Sequence, residues 1–340
     1  MKYYTLLVCL LLGSMLAFSA ETAKPKEGEG IYRFLINNGR NMNDHYDAFV
    51  ALNKNKLGKN NALKMGVSYT LPPLNASTTT QKNASSTTSQ RNTNSTARKE
   101  PLFGKKYADY TVKSSKLKGA TFYLVSGHGG PDCGAIGKVD GVTIHEDEYA
   151  YDIMLRLARN LMIEGATVHI IIQDKNDGIR DGKFLKNGKN ETCLGKAIPL
   201  NQKKRLQQRC DAINELSAKS KDRYQRAVFI HLDSRSTNQQ VDVFFYYKKS
   251  NTVGRNLANT MRATFKERYQ RFQPNRGFGG TVSTRELHVL NNTNPVSLFA
   301  ELGNIQNSFD QRRFLVDDQR QALANWMCLG FIADYENSKR

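Results

Sequence analysis

Four polar side chains in this sequence are of types that can hold a divalent cation. His128 follows an apolar run in "FYLVSGHGGPDCGAIG", His231 lies near the end of "AVFIHLDS", Glu301 lies in "VSLFAELGN", and Glu146 stands in "HEDEYAYDIMLRLARNL". Neutral imidazole nitrogens and carboxylate oxygens are ordinary donors to Zn2+. The acidic run offers more than one donor: His145, Glu146 and Glu148 compete for the inward position. Acidic residues at a helix start also suit the helix dipole, so not all of them need a chemical role. Gly127, Gly129 and Gly130 free the backbone around His128 for close approach to a ligand.

The elements that would position these residues follow from the hydrophobic pattern. Runs rich in β-branched and aromatic residues predict strands over 121–126, 167–173, 227–233, 241–247 and 297–302. Apolar residues at helical spacing predict helices over 148–163, 204–218, 253–272 and 316–335. Strand and helix alternate, so the fold class is α/β, a sheet with helices on both faces and its chemistry in loops at the strand ends. On this reading His128, His231 and Glu301 converge at one edge of the sheet. The polar stretch 174–200 reads as a lid or, more simply, a solvated loop.

The rest of the chain divides by composition. Residues 1–20 carry a basic start, the apolar run "LLVCLLLGSMLAF" and small residues at a cleavage point, the pattern of a signal peptide. The expectation is an exported protein of the periplasm or cell envelope, with no stable membrane insertion once that segment is removed. Residues 74–100 are dominated by Ser, Thr and Asn, too polar to bury a core, and predict a flexible linker. Between these lies a short module, 21–73, where Tyr46, Phe49, Val50 and Leu52 are spaced for one helix face and "ALKMGVSYTLPP" for a turn and closing strand. Residues 101–340 form the main domain. The 50 basic and 31 acidic residues give a net charge of +19, a field that attracts polyanions. For an exported chain without a nucleic-acid-binding signature, the partners are cell-wall peptides and acidic envelope polymers, with no nucleic acid. Cys133, Cys193, Cys210 and Cys328 permit three disulfide pairings or serve as buried thiols.

Two resemblances sharpen this. "FVALNK" and "LKMGVSYTLP" are similar to the helix end and the closing segment of LysM modules, which implies contact with glycan strands. "SGHGGPDCGAIG", "HEDEYAYDIMLRLARNLMIEGATV", "RCDAIN", "VFIHLDS" and "AELGNIQN" resemble, in order, motifs of the zinc-dependent N-acetylmuramoyl-L-alanine amidases called Amidase_3. The resemblance implies a mixed sheet flanked by helices and one Zn2+ per chain on His128, Glu146 and His231. Matching Leu157, Leu161 and Gly165 to the family pattern selects Glu146 over Glu148. It implies Glu301 as the catalytic proton carrier and peptidoglycan as substrate, cut between N-acetylmuramic acid and L-alanine. Whether activity needs an activator protein is not given by the sequence. Ser126, Cys133, Asp233 and Asn304 depart from the family pattern. A peptidase acting within the stem peptide and a non-catalytic wall-binding protein are the competing readings.

Overall fold

The computed structural model describes residues 20–26, 29–40, 42–58, 61–74, 97–273 and 276–339. The expected signal peptide, apart from Ala20, and residues 75–96 of the expected linker lie outside the described residues. The chain divides into two compact units, Met1–Ser86 and Thr87–Arg340.

In the first unit Thr22–Ala23 pairs antiparallel with Tyr69–Thr70, and helices Ile31–Asn37 and Met42–Asn53 lie between them in sequence. Phe34, Phe49 and Tyr69 are fully buried, their ring centroids 5.6–6.0 Å apart. The Asn53 amide exchanges 2.8 Å hydrogen bonds with the Thr70 backbone, fastening helix to strand. Tyr46 is buried as its spacing predicts, whereas Leu52 is 51% exposed.

The second unit is built on a six-stranded mixed sheet. Its strands are β1 (Ala120–Val125), β2 (Thr167–Ile170), β3 (Tyr224–Asp233), β4 (Phe244–Tyr247), β5 (Thr281–Thr284) and β6 (Val296–Asn304), in the order β5-β4-β6-β3-β1-β2. The four strands from β6 to β2 run parallel; β4 is antiparallel to β6 and parallel to β5. All six residues of β1 are buried, as befits a parallel strand covered on both faces. Alternate side chains feed two cores. Phe122, Leu124, Val228 and Leu298 pack with residues of α1 (Glu146–Ile163), α3 (Thr252–Phe272) and α6 (Asp317–Ser338). Tyr123, Val125, Phe229 and Phe299 pack on the other side with α2 (Gln202–Lys219) and the short α4 (His288–Asn292). The fold class is thus the expected one, α/β with a mixed sheet flanked by helices on both faces.

The four long helices and the strands β1, β3 and β6 lie within three residues of their expected bounds. Three differences have local causes. The run 167–173 splits, because Ile171 N–H closes the pairing on Leu124 O and the chain then leaves the sheet. Ile172–Gln173 instead joins Thr192–Cys193 and Lys196–Ala197 in a separate three-stranded sheet. Residues 174–200 are therefore not a solvated loop: they carry that hairpin and bury Asp174, Ile179, Leu185, Glu191, Cys193 and Ile198. The strand expected from 241 begins only at Phe244, because Val241 and Asp242 bond to side chains of α5 (Ser308–Leu315): Val241 N–H donates to Asp310 Oδ2 at 2.7 Å and Asp242 O accepts from Arg313. Cys133, Cys193, Cys210 and Cys328 are all free thiols, three of them buried.

Candidate metal centre

Helix α1 starts two residues earlier than its apolar pattern indicates, and this places Glu146. The first N–H groups of a helix have no intrahelical acceptor. Here Glu146 N–H donates to Ala135 O at 2.9 Å and Asp147 N–H to Cys133 O at 3.2 Å, so the loop after His128 caps the helix. His145 takes the N-cap position and lies outside the cluster that forms.

Glu146, 3% exposed, meets both histidines. Its Oε1 stands 2.9 Å from His231 Nδ1 and 3.4 Å from His128 Nε2, and accepts the Leu232 N–H at 3.0 Å. Its Oε2 accepts the Ala135 N–H at 2.8 Å. Donor atoms of His128, Glu146 and His231 all lie within 4.8 Å of one another. The His231 ring stacks on Phe299 at 4.2 Å and meets the His128 ring edge-on at 4.8 Å. On the far side of His128, Nδ1 is 2.9 Å from Asp132 Oδ2, which Arg205 of α2 also holds, at 2.9 and 2.7 Å. A carboxylate on Nδ1–H fixes the tautomer that leaves Nε2 free to ligate.

Two glycines make room for this contact. A Cβ on Gly127, at φ +31°, would lie 2.2 Å from the His231 ring. One on Gly134, at φ +68°, would lie 2.6 Å from Glu146 Oε2 and 2.8 Å from His128 Cγ. The glycines around His128 thus serve close packing of the donors as well as turning the chain.

Glu301 pairs with His231 in the parallel register of β3 and β6, which sets both side chains on the same face of neighbouring strands. It is 7% exposed, and its Oε2 has no hydrogen-bond partner. Burial, then the like charges of Glu146 and Asp233, push its carboxyl well above the usual range. Glu146 behaves oppositely: burial works against its charge, but the His231 bond and the two imidazoles outweigh it and hold the pKa low. Burial lowers His231, with Glu146 pulling the other way; at His128 burial is outweighed by Asp132 and Glu146, and the pKa is raised.

Asp132 and Arg205 were not singled out from the sequence as site residues. Asp132 was visible in principle, four residues after His128 in a glycine-rich run; Arg205 lies on a distant helix and gives no local signal. Arg209 of "RCDAIN" is 1% exposed, and burial pushes its guanidinium down to about 10. Its charge acts against protonation of both histidines, which favours the free bases that ligation requires. Asn214 brackets the turn before β6, accepting from Asn294 N–H at 2.7 Å and donating to Asn292 O at 2.9 Å. The departure at Asn304 is also accounted for: fully buried, it bonds Ser236 O, Gln239 O and the N–H groups of Arg235 and Gln306.

Two imidazoles and one carboxylate fit Zn2+ with coordination positions left open, the donor count of catalytic rather than structural sites. Fold and site together define an α/β protein with a His–Glu–His cluster at the carboxyl ends of parallel strands. Residues 123–333 match the model of the N-acetylmuramoyl-L-alanine amidase family, Amidase_3, and the chain belongs to that family. Among solved structures it is similar to the CwlD amidase from Clostridioides difficile, determined in complex with the GerS lipoprotein (20% identity over 64% of this chain and 98% of that one, TM-score 0.47). Others are the N-acetylmuramoyl-L-alanine amidase AmiC2 of Nostoc punctiforme (21%, 66% and 99%, TM-score 0.45) and apo Ami1 from Mycobacterium abscessus (18%, 64% and 100%, TM-score 0.47). No curated protein sequence matches the chain. Among the described residues, no helix is long and apolar enough to cross a membrane.

Proposed function

We propose that this chain is an exported, zinc-dependent amidase that hydrolyses the bond between the lactyl group of N-acetylmuramic acid and the L-alanine of the stem peptide. The observation that carries the proposal is the convergence of His128, Glu146 and His231 beside the unpartnered carboxyl of Glu301. His128, Glu146 and His231 would hold one Zn2+. A zinc ion bound there supplies positive charge that polarises the scissile carbonyl and lowers the pKa of water. Glu146 stays ionised between the imidazoles, and Asp132 and Arg205 keep the His128 ring oriented. Glu301 is the proton carrier: its free Oε2 takes a proton from the attacking water and returns it to the alanine nitrogen, which must be protonated to leave. The N-terminal unit is proposed as a LysM-like contact to glycan strands, which raises the local concentration of the domain on its substrate.

The test is Glu301→Gln on purified sacculi. We expect zinc retained at one per chain and turnover lowered roughly 10²–10⁴-fold. Mass spectrometry of wild-type digests should yield free lactyl carboxyls and intact stem peptides. Fragments cut inside the stem would move the assignment to a peptidase, and wild-type turnover by the variant would remove Glu301 from the reaction.

A further inference from the structure

We propose that the protein binds a second divalent cation, calcium, at a site made by Asp147, Glu148, Asp174 and Glu191, where residues 174–200 pack on the start of α1. The four carboxylates are 2%, 1%, 1% and 6% exposed. One donor oxygen from each of Asp147, Glu148 and Glu191 lies within 4.8 Å of the others. Asp174 lies beside them, outside that trio: a Cβ on Gly188 would stand 3.6 Å from Asp174 Oδ2, 3.7 Å from Glu148 Oε1 and 3.8 Å from Asp177 Oδ2, so these three oxygens line the same side of Gly188.

The protein satisfies only part of this charge. Arg180 bonds Glu148 Oε2 at 2.7 Å and Asp177 Oδ2 at 3.0 Å. Backbone N–H groups serve Asp147 Oδ1, Asp174 Oδ1, Glu148 Oε1 and Glu191 Oε2, and the Asn187 amide lies 3.5 Å from Asp147 Oδ1. Asp147 Oδ2 and Asp174 Oδ2 are buried with no partner at all. Buried carboxylates are stable when paired or when they ligate a cation, and one guanidinium, shared with the half-buried Asp177, does not balance four of them. The donors are all oxygen, which selects a hard ion; calcium accepts six to eight oxygens in irregular geometry, whereas magnesium demands a near-ideal octahedron. Glu191 Oε2 also accepts the Gly130 N–H at 2.8 Å, so the ion would tie residues 174–200 to α1 and to the loop that carries His128.

The probe is terbium, a calcium surrogate, added to the full zinc-loaded chain. Tyr151 is placed to sensitise its emission, since its hydroxyl accepts the Asp174 N–H at 2.8 Å and donates to Asp174 O at 3.2 Å. We expect one sensitised terbium per chain, displaced by calcium and not by zinc, and a Tm that rises with calcium. Glu191→Gln, which keeps an acceptor for Gly130, and Asp174→Asn should each weaken binding at least about tenfold, the loss that even an outer partner of a metal site costs. His231→Ala should leave it intact. Emission unaffected by Glu191→Gln and Asp174→Asn, or lost in His231→Ala, would overturn the site. So would a wild-type protein without calcium-displaceable emission or a calcium-dependent Tm, a result that needs no variant to fold and would mean that protons neutralise the cluster.

Discussion

Glu146, Asp147 and Glu148 are consecutive, open the same helix and are all buried, yet they enter two different clusters. Successive residues of a helix point about 100° apart, so three adjacent carboxylates cannot share one target. Glu146 turns toward two imidazoles; Asp147 and Glu148 turn toward Glu191. The first cluster mixes nitrogen and oxygen donors, which suits a borderline-soft ion, and the second offers oxygen alone. What a buried carboxylate does is set by what the fold brings opposite it, and here the opposite groups arrive from the loop after β1 and from β3 in one case and from residues 174–200 in the other.

The largest expected effect separates the two clusters outright. His128→Ala or His231→Ala should remove zinc, measured by elemental analysis, and lower sacculus hydrolysis by at least the roughly 10²–10⁴-fold attached to a lost acid–base group. If either variant also abolished the calcium response, the two clusters would be one site.

Next comes Gly134→Ala. Its methyl would press on Glu146 Oε2 and His128 from a left-handed backbone position. We expect a loss of about 1–3 kcal/mol in denaturant unfolding and a zinc affinity about 10–100-fold weaker, with calcium binding unchanged. Asp132→Asn should weaken zinc by a similar or smaller factor without the steric strain, because it removes charge behind His128 and leaves the packing in place.

A further test is the pH dependence of unfolding of the metal-free protein, where Asp132 and Asp147 should contribute slopes of opposite sign. Burial opposes the charge of Asp132, but His128 and Arg205 outweigh it and hold its carboxyl below the unfolded value of 3.8. Its contribution to stability is present above about pH 4 and is lost as the pH falls further. Asp147 is pushed up to about 8 by burial and then by Glu148 and Glu191. The folded chain keeps that proton while the unfolded chain has released it, so stability falls as the pH rises from about 4 to about 8. Asp147→Asn should flatten this upper limb, added calcium should flatten it too, and Asp132→Asn should flatten only the acid limb.

Much of the fold was legible because its signals are local. The apolar runs of β1, β3 and β6 and the spacing in α1, α2, α3 and α6 report burial directly, whatever the partner. His128, His231, Glu146 and Glu301 were legible as candidates because each stands at the end of such a run or beside a helix start. The second sheet, the shortened β4 and the calcium cluster were not. Residues 174–200 are polar in composition, and their burial depends on Glu191 finding Gly130 and on Asp174 finding Tyr151, contacts between residues far apart in the chain.

By itself the sequence determined the alternation of strands and helices, the basic charge and the residue types available for metal chemistry, because period and composition need only near neighbours. The tertiary structure decided how Glu146 reaches both histidines, why Gly127 and Gly134 carry no side chain, and where the remaining carboxylates gather. Those outcomes depend on distances of a few ångströms between segments far apart in the chain, set by how the strands register and how each loop closes over them.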